Sequence, residues 1–270
     1  MAAFARTQSD CGEMLEIQSK HLHDTYGAGV PCSCPRSWRS PPPSCGACWP
    51  GGGGTYLCPA VYGYILMHGL YGTHADLTKL TDRELRACSY SMIRAKRIAH
   101  VKGTEEEAVR LARRWGADEE HARRAAILHD CTKYLELDEQ LQLCAKYGIV
   151  LDELEQQAVK LLHSKTGACV ARHVYGVSDD IYEAIFWHTT GKAGMTLLEK
   201  LLYVADYMEP TRDFPGVERL RALAYEDLDA AVLLGCEMSI QEMAERGLPV
   251  HPNTVKARDW LRSKTKGISD

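Results

Sequence analysis

The sequence predicts an all-α protein in which a helical body follows a poorly ordered leader. Three observations support this fold class. From Thr73 onward, apolar residues recur at helical spacing and capping patterns mark helix starts, while no convincing run of alternating β-branched residues appears. Before Thr73, glycine and proline are frequent and charge is scarce. The 270 residues are enough to bury a sizeable core.

The leader, residues 1–72, is expected to be largely disordered. Only Arg36 and Arg39 are charged in its last two thirds. Clusters of proline at 41–43 and of glycine at 51–54 cannot continue a helix or a central strand. Low charge with this much glycine and proline is typical of a segment that packs poorly.

Capping patterns locate the first helices of the body. Thr81-Asp-Arg-Glu84 and Thr104-Glu-Glu-Glu107 each have capping-box spacing, so a helix is expected to start at each. The second of these is expected to end at Gly116, and an amphipathic pattern predicts another helix over 118–128. Further helices are predicted over 138–147, 151–162, 164–175, 179–188, 195–208, 225–246 and 252–263.

Composition limits the function classes. The net charge of −4 and the pI near 6.3 argue against a general nucleic-acid binder, which normally carries a basic patch. The mean hydropathy is −0.28, and no uncharged run reaches the ~18 apolar residues of a membrane span. The first 20 residues contain acids and no apolar signal region. We therefore expect a soluble protein whose partner is neither nucleic acid nor membrane.

Cysteine usage predicts a reducing, cytoplasmic environment, because 11 is an odd number and a chain of this length needs no disulfides. Four cysteines in helical patterns are expected to be buried free thiols: Cys131, Cys144, Cys169 and Cys236. Four others in the leader have a spacing that zinc would accept: Cys32, Cys34, Cys45 and Cys48. The proline-rich stretch between them offers no ribbon strands, and both interpretations of the leader stay open.

Histidines and aspartates near the helix ends carry the chemical signal. His129-Asp130 ends an apolar helix, where a buried imidazole and carboxylate are costly unless paired or metal-bound. Asp206 likewise follows an apolar run. Imidazole and carboxylate ligands suit Fe, Mn or Zn, and metal-assisted hydrolysis of phosphoesters or phosphoanhydrides needs such a set. The full set is His100, His129, Asp130, His163, His188 and Asp206.

The ordered context of these residues resembles the HD-domain metal phosphohydrolases and, more narrowly, the bacterial symmetrical bis(5′-nucleosyl)-tetraphosphatases. The resemblance spans residues 97–262 and implies an HD-domain helical bundle over 97–264. Its motifs are Arg97-Ile-Ala-His100-Val-Lys-Gly103, Ala125-Ala-Ile-Leu-His129-Asp130-Cys-Thr-Lys133, His163-Ser-Lys-Thr-Gly167-Ala, Trp187-His188-Thr189-Thr190-Gly191-Lys192, Thr196-Leu-Leu-Glu-Lys200, Val204-Ala-Asp206-Tyr-Met-Glu209-Pro210 and Arg212-Asp-Phe-Pro-Gly216-Val.

The resemblance also implies a ligand set. The principal divalent metal, expected to be iron, would be held by His100, His129, Asp130 and Asp206. His163 and His188 would either complete a second metal position bridged by Asp130 or contact substrate phosphate, and the residues alone do not choose between one ion and two. The residues expected to be catalytic are His129, Asp130 and Lys133.

Cationic side chains beside these motifs are expected to bind a polyphosphate, which carries several negative charges. Lys133 lies about one helical turn after Asp130 and can reach the same cavity. The other expected substrate contacts are Arg97, Thr189, Lys192 and Arg212.

The reaction that the resemblance implies is cleavage of diadenosine tetraphosphate into two ADP, with metal-assisted attack of water on a β-phosphorus. Two alternatives are another HD phosphohydrolase, acting on a nucleoside monophosphate or a cyclic dinucleotide, and a non-catalytic nucleotide sensor. The partner is in each case a small nucleotide. Whether the chain forms a homodimer stays open.

Residues 55–72 resemble the C-terminal tail of bacterial nicotinate-nucleotide adenylyltransferases, which occur fused ahead of such hydrolases. The catalytic part of an adenylyltransferase has no counterpart in this sequence. We therefore expect residues 1–72 to be a truncated remnant without transferase activity, followed by a linker helix in 73–96 and the hydrolase domain.

Overall fold

The computed structural model describes residues 57–266, without the side chains of residues 157, 159, 265 and 266. Within this range the regular secondary structure consists of helices, with no β-strand, so the all-α prediction is confirmed there. The α-helices are α1 (Pro59–Met67), α2 (Asp82–Met92), α3 (Ile98–Trp115), α4 (Glu119–Leu128), α5 (Leu137–Tyr147), α6 (Val159–Tyr175), α7 (Asp179–Trp187), α8 (Leu197–Met208), α9 (Val217–Glu226), α10 (Leu228–Glu245) and α11 (Pro252–Lys266). No helix in this part of the chain has the length and apolar character that crossing a membrane requires.

The chain divides into two compact units between Lys96 and Arg97. In the described part of the first, α1 packs against α2. Gly63 permits the contact, because a Cβ there would lie 1.9 Å from the carbonyl oxygen of Ala87. The leader is predicted to be largely disordered, and α1 corrects that prediction for residues 59–67. Its run of apolar residues lacks polar positions that would mark an exposed face, and its packing partner lies in α2.

The start of α2 is as predicted. The Thr81 hydroxyl accepts a hydrogen bond from the Glu84 backbone N–H, and the Glu84 carboxylate accepts one from the Thr81 N–H, which is a complete capping box. The four cysteines of the leader whose spacing zinc would accept lie outside the described residues, as do residues 1–56 as a whole.

The second unit places its catalytic candidates where several helices meet. Helix α3 packs on α4 and α8, α4 also contacts α7 and α8, and α7 packs on α6 and α8. Helices α9, α10 and α11 extend the bundle behind α8. The four cysteines predicted to be buried free thiols are buried and free.

Two predicted helix boundaries in this unit are wrong. Helix α3 begins at Ile98 rather than at Thr104, whose hydroxyl is fully buried in mid-helix, 3.5 Å from His100 Nε2. Helix α6 runs unbroken through His163, where the sequence analysis separated 151–162 from 164–175; only a short 3₁₀ turn, Glu155–Gln157, precedes it. Capping patterns and polar residues are local signals, and packing of the buried face extends both helices across them.

Helix α9 was not predicted, and the predicted helix 225–246 begins instead at Leu228, capped by the Asp227 carboxylate on the Ala230 N–H. Other predicted helices are confirmed to within two or three residues: 118–128, 138–147, 179–188, 195–208 and 252–263.

Candidate metal centre

Five helices bring together the six residues that the sequence singled out, here termed the His/Asp cluster: His100 in the first turn of α3, His129 and Asp130 directly after α4, His163 near the start of α6, His188 directly after α7 and Asp206 near the end of α8. The Nε2 atoms of His100 and His129 lie 3.2 Å apart. The Nε2 atoms of His163 and His188 also lie 3.2 Å apart. The cluster therefore contains two facing pairs of imidazoles.

Asp130 lies between the two pairs. Its Oδ2 is 3.6 Å from His100 Nε2 and 3.5 Å from His129 Nε2. Its Oδ1 is 3.2 Å from His163 Nε2 and 4.0 Å from His188 Nε2. One carboxylate thus faces both pairs through different oxygens.

Asp206 makes its nearest contacts with the first pair, His100 and His129. Its Oδ1 lies 2.9 Å from His100 Nε2 and 3.7 Å from His129 Nε2. The side chain is 15% exposed, whereas His129 and Asp130 are fully buried, as the sequence predicted for that pair. The cluster is therefore closed on the His129 side and reaches solvent beside Asp206.

The remote nitrogen of each imidazole defines its tautomer. Nδ1 of His129 lies 2.6 Å from the Ala126 carbonyl oxygen. His163 and His188 repeat this contact with the carbonyl three residues earlier, each at 2.7 Å. A carbonyl only accepts, so in the neutral ring Nδ1 carries the proton and the Nε2 lone pair faces the cluster. The Nδ1 of His100 lies 3.0 Å from Glu209 Oε1, which has the same consequence.

This donor set fits a divalent metal ion. Four Nε2 lone pairs and two carboxylates converge, and lone pairs that face each other at 3.2 Å repel unless a cation lies among them. Three overlapping groups of three ligands have donor atoms close enough to hold an ion: His100, His129 and Asp130; His129, His188 and Asp206; Asp130, His163 and His188. Mixed nitrogen and oxygen donors suit Fe, Mn and Zn.

A fourth group of three, Asp152, Glu155 and His251, does not fit a metal in the same way. His251 Nδ1 accepts a hydrogen bond from the Asn253 N–H at 3.2 Å, so in the neutral ring Nε2 carries the proton. That N–H lies 3.4 Å from Glu155 Oε1, although the geometry is not that of a hydrogen bond. His251 in its neutral form thus presents an N–H to the two acids, whereas the four histidines of the His/Asp cluster present lone pairs to theirs.

The electrostatics of the cluster favour ionised carboxylates at Asp130 and Asp206 and neutral imidazoles at His163 and His188. Burial by itself would raise the pKa of Asp130, but its neighbours His129, His163 and Lys133 lower that pKa well below its usual value. Burial lowers the pKa of His163 and lowers that of His188 well below the usual value. Ionised carboxylates and neutral imidazoles are the protonation states that metal binding requires.

Three predicted substrate-binding cations border the cluster and contact its carboxylates. Arg97 Nε lies 2.6 Å from Asp130 Oδ2, and Lys133 Nζ lies 3.0 Å from Asp130 Oδ1. Arg212 Nη2 lies 2.9 Å from Asp206 Oδ1. The side chains of these three residues are 17%, 29% and 30% exposed, in the same order, so each is also partly accessible to solvent.

Two other predicted substrate contacts have partners outside the cluster. The Ser164 hydroxyl donates to the Leu161 carbonyl oxygen at 3.0 Å, so Thr189, 3.0 Å from Ser164 Oγ, is the donor in that pair. The Lys192 ammonium lies 3.2 Å from Glu183 and 2.7 Å from the buried Glu199. In this structure the polar contacts given for both side chains are with residues outside the cluster.

Glu209 lies within one of the sequence motifs, but no role is predicted for it from the sequence. The side chain is fully buried and contacts His100. The one local signal was an acidic residue directly before Pro210 and after an apolar helix, a position where a buried carboxylate needs a specific partner.

Comparison with known proteins places the cluster in a wider context. The family model described as the HD domain matches residues 97–211. A protein of Bacillus subtilis named "Bis(5'-nucleosyl)-tetraphosphatase, symmetrical" is 39% identical over 185 residues, which cover 68% of this chain and 99% of that protein. A crystal structure of a predicted HD superfamily hydrolase involved in NAD metabolism from Clostridium acetobutylicum has a TM-score of 0.67 and 36% identity, covering 68% of this chain and 98% of that one.

A more distant relative combines two activities in its name. The "Probable nicotinate-nucleotide adenylyltransferase/Ap4A hydrolase" of Mycoplasma pneumoniae is 30% identical over 150 residues. The match covers 55% of this chain and 39% of that protein, so the similarity involves only part of the longer fusion.

Proposed function

The chain belongs to the family of symmetrical bis(5′-nucleosyl)-tetraphosphatases, and from that membership we propose that it is a metal-dependent hydrolase that cleaves diadenosine tetraphosphate into two ADP. The observation that carries the proposal is the convergence of four Nε2 lone pairs and two carboxylates in one buried cluster. No merely structural role requires four imidazoles to present unprotonated nitrogens to one another.

We assign the principal ion to His100, His129, Asp130 and Asp206, and propose iron as that ion. His163 and His188, with the second oxygen of Asp130, are proposed either to hold a second ion or to contact substrate phosphate. A divalent ion there supplies Lewis acidity, which polarises a phosphoryl oxygen and makes water a stronger nucleophile near neutral pH.

The charge balance of the site supports an anionic substrate. Three carboxylates, those of Asp130, Asp206 and Glu209, are matched by three cations, Arg97, Lys133 and Arg212. With the imidazoles neutral, the residues alone are close to electroneutral, so each divalent ion adds uncompensated positive charge. A polyphosphate chain supplies the matching anion, and the three partly exposed cations can share its nonbridging oxygens.

The catalytic roles proposed for the chain's own residues follow from these contacts. Asp130 links the two imidazole pairs and is held from both sides by Arg97 and Lys133. Lys133, 3.5 Å from His163 Nε2, is proposed to stabilise charge that develops on phosphate. ADP is a stable leaving group, so the reaction needs no dedicated proton donor.

Chromatography of the products formed from diadenosine tetraphosphate tests the proposal. Symmetrical cleavage gives ADP alone, whereas ATP and AMP in equal amounts would overturn the assignment. Chelation is expected to abolish turnover, and anaerobic addition of Fe²⁺, Mn²⁺ or Zn²⁺ singly to the chelated protein would identify the ion. Faster turnover of a nucleoside monophosphate or a cyclic dinucleotide than of diadenosine tetraphosphate in parallel reactions would favour the alternative, another HD phosphohydrolase.

We also propose a reducing, cytoplasmic location. The support is that the six cysteines in the described part of the chain are all free thiols, including the exposed Cys58. Mass spectrometry of thiols alkylated in cell lysate would test it.

A further inference from the structure

Glu209 is a fully buried carboxylate that the proposed reaction does not use directly. It follows the last residue of α8, and Pro210 holds it in the extended conformation with ψ of 158°. This backbone ends the helix and directs the side chain toward α3. There, Glu209 Oε1 lies 3.0 Å from Nδ1 of His100, a residue 109 positions earlier in the chain.

Both oxygens of this carboxylate are engaged. Oε2 accepts the Thr211 backbone N–H at 2.6 Å, and Oε1 also accepts the Thr211 hydroxyl. Arg212 Nε lies 3.7 Å from Oε1. A carboxylate restrained from several directions is a rigid acceptor for the His100 ring.

Gly103 provides the space for this arrangement. It lies one turn after His100 in α3, and a Cβ there would be 2.6 Å from Glu209 Oε2 and 3.0 Å from Pro210 Cδ. A glycine inside a helix weakens it relative to alanine, so its presence here reflects the close approach of the carboxylate.

His100 differs in this respect from the other three histidines. His129, His163 and His188 each donate Nδ1–H to a neutral carbonyl of the preceding helical turn. His100 donates to an ionised acceptor from another helix end. A carboxylate polarises the imidazole more strongly than a carbonyl does, which increases the basicity of Nε2 and restrains rotation of the ring.

We propose that Glu209 is a positioning residue for His100, which it orients and strengthens as a ligand of the principal ion. The inference rests on the proposed function in one respect, namely that His100 binds a divalent ion.

The test replaces the carboxylate by an amide of the same size, Glu209→Gln, in the full chain. The amide has only one oxygen that can accept. If that oxygen faces His100, the NH₂ group faces the Thr211 N–H; in the opposite orientation the NH₂ group faces His100 Nδ1–H. The affinity for Co²⁺, used as the probe ion and measured by competition with a chelator, is expected to fall about 10–100-fold. The ligand-field spectrum of bound Co²⁺ is expected to change as well.

Two comparisons separate positioning from a structural role. Glu226→Gln makes the same chemical change at an exposed end of α9 and is expected to leave Co²⁺ affinity and spectrum unchanged. For Glu209→Gln, the rise in unfolding temperature that Co²⁺ produces is expected to shrink relative to wild type. An undiminished rise, with wild-type affinity and spectrum, would overturn the proposal even if the chelated variant unfolded earlier.

Gly103→Ala tests the same contact without altering a charged group, and it decides the matter if Glu209→Gln does not fold. The added methyl group is expected to displace the carboxylate and lower Co²⁺ affinity, although alanine favours the helix. Unchanged affinity in this variant would contradict the proposal. A wild-type protein that binds no divalent ion would refute the proposed function itself. A wild-type protein and a variant that bind Co²⁺ equally well would refute only the role of Glu209.

Discussion

Replacing Asp130 by asparagine is expected to remove metal binding and to destabilise the chelated protein at the same time. The carboxylate is 1% exposed, with Arg97 on Oδ2 at 2.6 Å and Lys133 on Oδ1 at 3.0 Å. An asparagine can offer one oxygen, so its NH₂ group must face either Arg97 on one side or Lys133 and His163 Nε2 on the other. One of the two cations then loses its partner in a largely buried site.

The size of the effect follows from that loss. Removing one partner of a buried ion pair costs about 3–5 kcal/mol. Because Arg97 and Lys133 are 17% and 29% exposed, solvent compensates part of this, and we expect the lower end, about 3 kcal/mol. At roughly 2–4 °C per kcal/mol for a domain of this size, the unfolding temperature in chelator should fall by about 6–12 °C.

Differential scanning calorimetry with and without added Fe²⁺, together with bound-metal analysis and turnover, provides the assay. Wild type should be stabilised by the ion, and Asp130→Asn should show neither that stabilisation nor turnover. Asp138→Asn, the same change at an exposed position in the first turn of α5, should cost no more than about 1 kcal/mol. Wild-type metal content and activity in Asp130→Asn would refute the assignment of Asp130 as a metal ligand. A loss of stability with the metal retained would show that Asp130 acts only as an ion-pair partner.

Three further outcomes are expected. Lys133→Ala should retain bound metal while kcat/KM for diadenosine tetraphosphate falls roughly ten- to hundred-fold, since one charge-assisted contact is worth about 1.5–3 kcal/mol. Loss of metal in this variant would show instead that Lys133 supports metal binding. In chelator, the unfolding temperature should decline as pH falls below about 6.5, because the lowered pKa values of His163 and His188 mean that the unfolded chain takes up protons first. The decline should steepen below about pH 4, where the two aspartates of the His/Asp cluster have lowered pKa values, and an unfolding temperature that is flat from pH 7 to pH 3 would contradict this account. A chain that starts at Thr73 should hydrolyse substrate like the full chain, because every residue of the His/Asp cluster lies after Lys96; a metal-loaded but inactive truncated protein would show that the leader contributes to the site.

Much of the candidate site could be predicted from the residues alone. A histidine and an aspartate at the end of an apolar helix are costly to bury unpaired, so His129-Asp130 indicated a partnered site before any fold was known, and both residues are fully buried. Lys133 could be placed beside Asp130 for the same local reason, since residues three apart on a helical turn are neighbours. The capping box at Thr81 was likewise a local property.

Local patterns failed where packing overrides them. Thr104 begins a capping-box pattern but lies in the middle of α3, because the buried face of that helix continues back to His100. His163 lies within α6 rather than between two helices. A short polar pattern cannot tell a helix start from a helix interior, since the difference lies in what covers that face.

By itself, the sequence determined the all-α class, the membership of the His/Asp cluster and the family to which the chain belongs, because helical periodicity and the cost of burying charge are properties of short stretches of chain. Only the tertiary structure decided which oxygen of Asp130 faces which imidazole pair, that Lys192 pairs with Glu183 and Glu199, and that Glu209 contacts His100. These are contacts between residues of different helices and of the segments that follow them, and they depend on how the helices cross. A distance of 3.0 Å between atoms 109 residues apart has no signature in either local segment, since it is set by the packing of α3 against the end of α8.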